Sequence, residues 1–295
     1  MRTSFAMARE ARAARTGAGR RRFGDFFILR WYIVAVRVTF LGTGTSHGVP
    51  MIGCECAVCR STDPRDKRMR PSIYVEMDDG LKVLVDTTPD LRIQALTRGI
   101  RQVDAIVFTH AHADHVMGLD EVRRFNMISG QPMPMYADAS TLRDIKITFR
   151  YIFESDAPKG GGKPDIRLWE IGGRFSLGRQ EVVPVPIQHG TRQILGLRLG
   201  KFAYLTDCNG IPDASRSLLQ DLDCLVLDAL RHKPHPTHFT LDEAVAEARR
   251  IGAKRTWFTH IAHDLGHAAT CAHLPPGMAL AYDGQTIDIG GAAGT

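Results

Sequence analysis

The stretch Val103-Asp-Ala-Ile-Val-Phe-Thr-His-Ala-His-Ala-Asp-His-Val-Met-Gly118 decides how the rest of the chain is interpreted. Its first half is apolar and β-branched, which predicts a buried strand. Its second half places three imidazoles and a carboxylate within six residues: His110, His112, Asp114 and His115. Divalent ions such as Zn²⁺, Mn²⁺ and Fe²⁺ accept these ligands, and the spacing lets the first two histidines face one ion while Asp114 and His115 face a second. A two-metal site is therefore predicted, and a polar loop that is merely rich in histidine is the alternative.

This run resembles the His-x-His-x-Asp-His signature of the metallo-β-lactamase superfamily. In that superfamily a distant His, an Asp that bridges the metals and a final His complete the ligand set, each at the end of a strand. This sequence has residues of those types after three strand-like runs, in the same order: His189, Asp207 and His260. The resemblance implies an α/β fold, the αββα sandwich of the metallo-β-lactamase type, with a binuclear centre.

The six cysteines are too few for a disulfide scaffold, and three of them stand together in Gly53-Cys-Glu-Cys-Ala-Val-Cys59. The triplet of Cys54, Cys56 and Cys59 suits a structural Zn²⁺ that needs one more nitrogen ligand. The candidate for that ligand is His263. A redox-active thiol cluster and buried inert cysteines are the alternatives. The remaining cysteines are expected to be inert: Cys208, Cys224 and Cys271.

The segment Phe40-Leu-Gly-Thr-Gly-Thr-Ser-His-Gly-Val-Pro50, together with the cysteine triplet, is similar to the phosphoribosyl 1,2-cyclic phosphate phosphodiesterases of the carbon–phosphorus lyase pathway. The similarity covers about residues 36–289. Those proteins hold an extra zinc with three Cys and one His, which matches the triplet and His263. They also place a His at the substrate as a proton donor, matched by His238. A surface position at the start of a helix is the alternative for His238.

The resemblance implies a hydrolase of a small phosphodiester, such as 5-phosphoribosyl 1,2-cyclic phosphate, with two divalent ions (Zn or Mn) and one structural Zn. Two ions about 3.5–4 Å apart lower the pKa of a shared water toward ~7, which supplies a hydroxide nucleophile. Asp207 would bridge the ions, and His238 would protonate the leaving alkoxide. Asp114 shares that duty if it binds metal weakly. A tRNA 3′-end processing endonuclease and a non-catalytic metal-dependent binding or regulatory protein are the alternatives.

Contacts to a substrate phosphate are predicted at two places. The glycine-rich loop after the first strand offers backbone amides and the side chains of Thr45, Ser46 and His47. Arg123 and Arg124, which follow the metal motif, are within reach of a terminal phosphate. A tight turn and a solvated helix face are the respective alternatives.

The net charge of +6 comes from the first 30 residues, where eight Arg stand against Glu10 and Asp25. The remaining 30 basic and 30 acidic residues cancel. The absence of net charge after residue 30 argues against nucleic acid as a partner, because proteins that bind polyanions usually have a stripe of basic residues. The apolar run Phe26–Val36 is too short to span a bilayer, so no membrane is expected. A small phosphorylated substrate is the expected partner, and homodimer formation is left open.

The chain divides into residues 1–35, a basic N-terminal extension, and residues 36–295, a single hydrolase domain. The extension is interpreted as an over-extended translation start, with a disordered tail as the alternative. Metal-binding and free thiols suit a reducing cytoplasm. Hairpins are predicted at 72–86 and 194–206, and helices at 89–98, 141–153 and 240–251.

Overall fold

The computed structural model describes residues 36–154 and 162–290, so the predicted extension 1–35 lies outside the described residues. The strands are β1 Val36–Gly42, β2 Ser72–Met77, β3 Lys82–Val85, β4 Ala105–Val107, β5 Met133–Ala137, β6 Ile166–Glu170, β7 Phe175–Leu177, β8 Gln180–His189, β9 Arg192–Leu199, β10 Phe202–Leu205, β11 Cys224–Asp228, β12 Arg255–Thr259, β13 Met278–Leu280 and β14 Thr286–Ile289. The helices are α1 Leu91–Arg98, α2 Ala113–Val116, α3 Val122–Ser129, α4 Ala139–Thr148, α5 Arg150–Phe153, α6 Asp213–Ser217, α7 Leu241–Ile251 and α8 His267–Cys271. Short 3-10 turns cover Pro64–Asp66 and Leu119–Glu121.

The strands form two seven-stranded sheets within the described ranges. One sheet has the order β14-β1-β2-β3-β4-β5-β6, and the other has the order β13-β12-β11-β10-β9-β8-β7. Apolar side chains of both sheets, among them Val38, Leu197 and Tyr204, share one buried cluster. Two further clusters pack helices against the outer faces of the sheets. The αββα sandwich predicted from the sequence is confirmed.

The two hairpins predicted from alternating hydrophobicity are present as β2–β3 and β9–β10. The predicted helix at 240–251 is α7, where Thr240 and Glu243 form a capping box and Gly252 ends the helix in the left-handed region. The predicted helix at 141–153 is wrong in one respect, because it breaks at Phe149 into α4 and α5. No helix of the described residues is both long and apolar enough to cross a membrane.

Parallel pairing gathers the loops that carry the polar motifs. β3 pairs with β4 in parallel, and β10, β11 and β12 are consecutive parallel neighbours in the other sheet. The carboxyl ends of parallel strands lie at the same edge of a sheet, so the loops that leave them converge. Three polar residues at these ends adopt positive φ: Asp86 at 66°, Asp207 at 58° and His260 at 59°. Non-glycine residues rarely adopt this conformation, and such backbones concentrate at functional sites.

Candidate metal centre

One group of potential ligands consists of His110, His112 and His189. Their donor atoms lie within 4.8 Å of one another, and their ring centroids are separated by 4.5 to 5.4 Å. The loop after β4 carries the first two, and the end of β8 carries the third. His189 Nδ1 donates to the Thr237 carbonyl oxygen at 3.0 Å, which leaves Nε2 to face the other two rings.

A second group lies beside the first and consists of Asp114, His115, Asp207 and His260. Asp207 connects the two groups. One of its carboxylate oxygens lies 3.2 Å from His115 Nε2, and the other lies 3.2 Å from His260 Nε2 and 3.9 Å from His110 Nε2. A carboxylate in this position reaches ligands of both groups, as a bridging ligand would have to do.

Four buried imidazole nitrogens in this cluster have no hydrogen-bond partner among the described residues: His110 Nε2, His115 Nε2 and both ring nitrogens of His260. Unsatisfied buried polar atoms are costly, so their convergence fits a group of bound cations. Buried neutral imidazole and carboxylate suit divalent transition metals.

The electrostatics of the cluster also favour positive charge. Burial alone would lower the pKa of His260, but the carboxylates of Asp207, Asp114 and Asp228 raise it to about 9. Burial would raise the pKa of Asp207, but His260 and His115 hold it well below its ordinary value. The carboxylate is therefore ionised at neutral pH and available to a cation.

The carboxylate of Asp86, which the sequence analysis missed, orients His115 through the ring nitrogen that faces away from the other ligands. Its side chain lies 2.8 Å from His115 Nδ1 and accepts hydrogen bonds from the backbone N–H and hydroxyl of Thr109. A second-layer carboxylate fixes the ring and leaves Nε2 facing the metal position. The signal in the sequence was an acidic residue directly after the apolar strand β3, which is parallel to the strand carrying the metal motif.

His238 is buried beside the cluster, which rules out the surface alternative. Its ring is stacked on that of His260 with centroids 4.5 Å apart, and its donor atom lies within 4.8 Å of those of His189 and Asp207. Asp228, also missed, lies 3.0 Å from His238 Nδ1 and accepts from the Phe239 N–H. Burial, reinforced by the nearby His260, lowers the pKa of His238 to about 3, so the ring is neutral near pH 7.

The cysteine triplet and His263 form the separate group predicted from the sequence. The Sγ atoms of Cys54, Cys56 and Cys59 lie 3.2, 3.4 and 3.7 Å from His263 Nδ1. All six cysteines are free, which does not favour a disulfide-forming cluster. Three thiols and one imidazole within 4.8 Å match the donor set of a tetrahedral structural zinc site. Cys208 and Cys224 are buried, as expected of inert cysteines, while Cys271 is half-buried.

Buried Arg68 ties the segment that follows the cysteine triplet to the loop after His260. Its guanidinium donates to the carbonyl oxygens of Ala262 and Leu265 and pairs with Asp66 at 3.0 Å. Asp66 in turn accepts from the His267 N–H. The cysteine loop and the loop carrying the last predicted metal ligand therefore form one connected unit.

The two places predicted to contact a substrate phosphate, the glycine-rich loop and the arginines after the metal motif, lie in different surroundings. The glycine-rich loop pairs with the residue after His260, because the Thr45 N–H donates to the Ile261 carbonyl oxygen at 3.2 Å. Ser46 and His47 are exposed and belong to none of the potential metal-binding groups of the described chain. Arg123 is exposed and pairs with Asp120 at 3.2 Å, so its charge is already neutralised. Arg124 is exposed.

An αββα sandwich with clustered His and Asp ligands at its strand ends defines a class of metal-dependent hydrolases. A family model described as the beta-lactamase superfamily domain matches residues 82–261. The chain therefore belongs to the metallo-β-lactamase superfamily, and within it to the branch that includes the PhnP-like proteins.

Three proteins show how far the similarity extends. A solved structure described as a new diphosphatase from the PhnP family is 49% identical, covers 87% of this chain and 98% of its own, and has a TM-score of 0.81. The octanoyltransferase of Porphyromonas gingivalis (strain ATCC BAA-308 / W83) is 36% identical over 84% of this chain, and the match spans 51% of that protein. Zinc-bound PqqB from Methylobacterium extorquens is 20% identical, covers 86% of this chain and 100% of its own, and shares the fold with a TM-score of 0.68.

The chain thus spans about half the length of the octanoyltransferase that it matches.

Proposed function

We propose that this protein is a binuclear metal-dependent phosphodiesterase that opens a small cyclic phosphate such as 5-phosphoribosyl 1,2-cyclic phosphate. The observation that carries the proposal is Asp207, whose two carboxylate oxygens face ligands of both histidine groups. Zinc or manganese ions held by these groups would supply a hydroxide nucleophile and would withdraw charge from phosphoryl oxygens. The seven side chains that would hold them are His110, His112, Asp114, His115, His189, Asp207 and His260.

His238 is proposed as the proton donor to the leaving oxygen. Opening a cyclic phosphodiester expels an alkoxide, which needs a proton to be a tolerable leaving group. The ring is neutral in the free site, and an anionic phosphoryl group beside it would raise its affinity for a proton. Asp228, 3.0 Å from Nδ1, fixes the ring so that Nε2 is the atom that faces the substrate. Asp114 lies within the metal group, which favours its role as a ligand over a role as the donor.

Hydrolysis of a diphosphate linkage is the second candidate. The relative at 49% identity is described as a diphosphatase, and a diphosphate offers the same chemistry: an attacked phosphoryl group and a leaving oxygen. The match to the Porphyromonas gingivalis octanoyltransferase spans only 51% of that protein, so its acyl-transfer activity supports no function of this chain.

A substrate panel with the zinc- or manganese-loaded protein separates these functions. It comprises 5-phosphoribosyl 1,2-cyclic phosphate, a diphosphate diester and a precursor tRNA. Selective opening of the cyclic phosphate is the expected result. Selective cleavage of the diphosphate would favour the second candidate, and cleavage of the tRNA would favour the endonuclease and overturn the proposal.

The role of His238 is tested with leaving groups of different basicity. Substitution His238→Gln is expected to lower kcat for the cyclic phosphate by roughly 10²- to 10⁴-fold, the usual contribution of general acid catalysis. The same variant is expected to retain most activity on bis(4-nitrophenyl) phosphate, whose leaving group needs no proton. His232→Gln, at an exposed position, serves as the matched control. Equal losses on both substrates would reject proton donation by His238.

A further inference from the structure

Arg192 lies opposite a predicted metal ligand on the β8–β9 hairpin. In the antiparallel register His189 pairs with Arg192, with only Gly190 and Thr191 between them in the turn. Residues directly opposite in such a pair project from the same face of the sheet. Because the His189 ring faces the other ligands, Arg192 projects toward the same site.

Arg192 forms no salt bridge with any of the described residues. Its side chain is exposed, and no carboxylate lies within 4.0 Å of it among the described residues. Arg123, one of the two arginines predicted from sequence to contact phosphate, is instead paired with Asp120.

His235 offers a second, pre-oriented donor on the loop that also carries His238. Its ring lies 5.0 Å from the ring of His238, centroid to centroid. The Thr237 backbone N–H donates to His235 Nδ1 at 3.4 Å, and the Thr237 hydroxyl lies 3.1 Å from the same atom. Since Nδ1 accepts, the hydrogen of the neutral ring sits on Nε2, which is then a donor without a partner within the described residues.

The two segments that carry these donors are held together. Asn209 accepts from the Gly190 N–H at 3.0 Å and donates to the Pro236 carbonyl oxygen at 2.7 Å. Gly190 has a φ of +63°, and a Cβ there would lie 2.9 Å from the Thr237 side chain. The close approach therefore requires glycine at this position and keeps the hairpin turn beside the loop of His235.

We propose that Arg192 and His235 bind a second phosphoryl group of the substrate, so that the enzyme selects small molecules with two phosphoryl groups over those with one. Arginine is suited to this role because its fork matches two phosphate oxygens. A sugar cyclic phosphate with a distant phosphate monoester and a diphosphate both satisfy this requirement. This inference rests on the proposed function, and the second phosphoryl group is the part of the substrate that the metals do not contact.

A pair of substrates that differ only in the second phosphate tests the inference: 5-phosphoribosyl 1,2-cyclic phosphate and ribose 1,2-cyclic phosphate. The intact metal-loaded protein is expected to prefer the first in kcat/KM by roughly 10- to 100-fold, the range of one to two charge-assisted hydrogen bonds. Arg192→Gln is expected to remove most of that preference, mainly by raising KM for 5-phosphoribosyl 1,2-cyclic phosphate. Arg192→Lys is expected to restore part of it.

Two further variants test whether the loss of preference is specific to the residues of the proposed second-phosphate site. His235→Gln is expected to reduce the preference by about 3- to 10-fold, as loss of one neutral donor would. Arg143→Gln, at an exposed position on α4, is expected to leave both substrates unaffected. Equal losses on both substrates in Arg192→Gln, or no loss on either, would overturn the inference.

A binding measurement separates this inference from the proposed function. Calorimetry with ribose 1,5-bisphosphate and ribose 1-phosphate measures the contribution of the second phosphate without turnover. Tighter binding of the bisphosphate that disappears in Arg192→Gln supports the second-phosphate site, even if neither cyclic phosphate is hydrolysed and the proposed function fails. Equal affinity of the unsubstituted protein for both ligands would refute it.

Discussion

Single carboxylates determine much of the chemistry at this site. Asp207 lies between both ligand groups, and Asp86 supports His115 from the opposite side of the ring. Both are fully buried, which is tolerated because each carboxylate has charged or hydrogen-bonding partners. Removal of their charge should therefore affect metal binding before it affects the fold.

The first prediction concerns Asp207→Asn. The amide keeps the size of the side chain but cannot bridge two cations as an anion does. Activity is expected to fall by more than about 100-fold, since even supporting residues of metal sites contribute 10- to 100-fold. The metal content, measured by elemental mass spectrometry, is expected to fall as well.

Asp213→Asn, at an exposed position on α6, is the control for this measurement. Full metal content and full activity in Asp207→Asn would exclude the bridging role.

Asp283 is a buried carboxyl outside the metal groups. It accepts hydrogen bonds from the Thr43 hydroxyl and the Met69 N–H, each at 2.7 Å. Burial raises its pKa to about 7 in spite of these donors. A folded-state pKa above the ordinary value of 3.8 means that the folded protein holds the proton more tightly than the unfolded chain. Its contribution to stability is therefore complete at low pH and is lost as the pH rises through about 7.

The second prediction follows from this upward shift of the Asp283 pKa. Between pH 5.5 and pH 7.5, the free energy of unfolding of the unsubstituted protein is expected to fall by about 2 kcal/mol relative to Asp283→Asn, which has no proton to lose there. Urea unfolding of both proteins at the two pH values measures the difference. Other titrating groups are common to both proteins and cancel. Parallel pH dependences would refute the assignment.

At the scale of elements, the sequence predicted the strands well where a local pattern carries them. His189, Asp207 and His260 each follow an apolar strand, and the structure brings them together. The supporting carboxylates Asp86 and Asp228 were missed, since their role depends on which strands are neighbours, and a local pattern does not contain that information.

The break between α4 and α5 shows the same limit. The predicted helix has neither glycine nor proline, and its interruption at Phe149 accompanies the burial of that ring together with Ile152 in the outer core. Tertiary packing decides such a position, and it outweighs local helix propensity.

The third prediction concerns the cysteine loop. Cys56→Ser is expected to reduce the bound zinc by about one equivalent per chain, because a serine hydroxyl is a poor zinc ligand compared with a thiolate. The activity is expected to fall by about 10-fold or more, since His263 joins the triplet to the loop that also carries His260.

Cys271→Ser, outside the triplet, is the control, and its zinc content is expected to stay unchanged. If Cys56→Ser retains its full zinc content, the triplet is not a metal site.

At the scale of the whole molecule, the proposed centre draws on both sheets. The loops after β3 and β4 belong to one sheet, and those after β8, β10, β11 and β12 belong to the other. Ligands from both halves are brought together only in the folded chain, so metal binding and folding are coupled.

The fourth prediction is that metal removal lowers thermal stability. Free zinc at about 100 times its dissociation constant is expected to stabilise the fold by about 3 kcal/mol per site. Thermal unfolding with and without a chelator measures this difference as a lower Tm. Asp207→Asn is expected to show a smaller shift than the unsubstituted protein, and an identical Tm with and without metal would argue against the coupling.

The cysteine cluster has a consequence for the making of this protein. Cys54 and His263, whose side chains lie 3.2 Å apart, are separated by 209 positions in the chain. Ribosomes add about 5–20 residues per second, so roughly 10–40 s pass between the synthesis of the first thiol and that of its imidazole partner. During that interval the nascent chain presents three thiols that lack their fourth ligand. Newly made chains are therefore expected to be most vulnerable to oxidants before synthesis is complete.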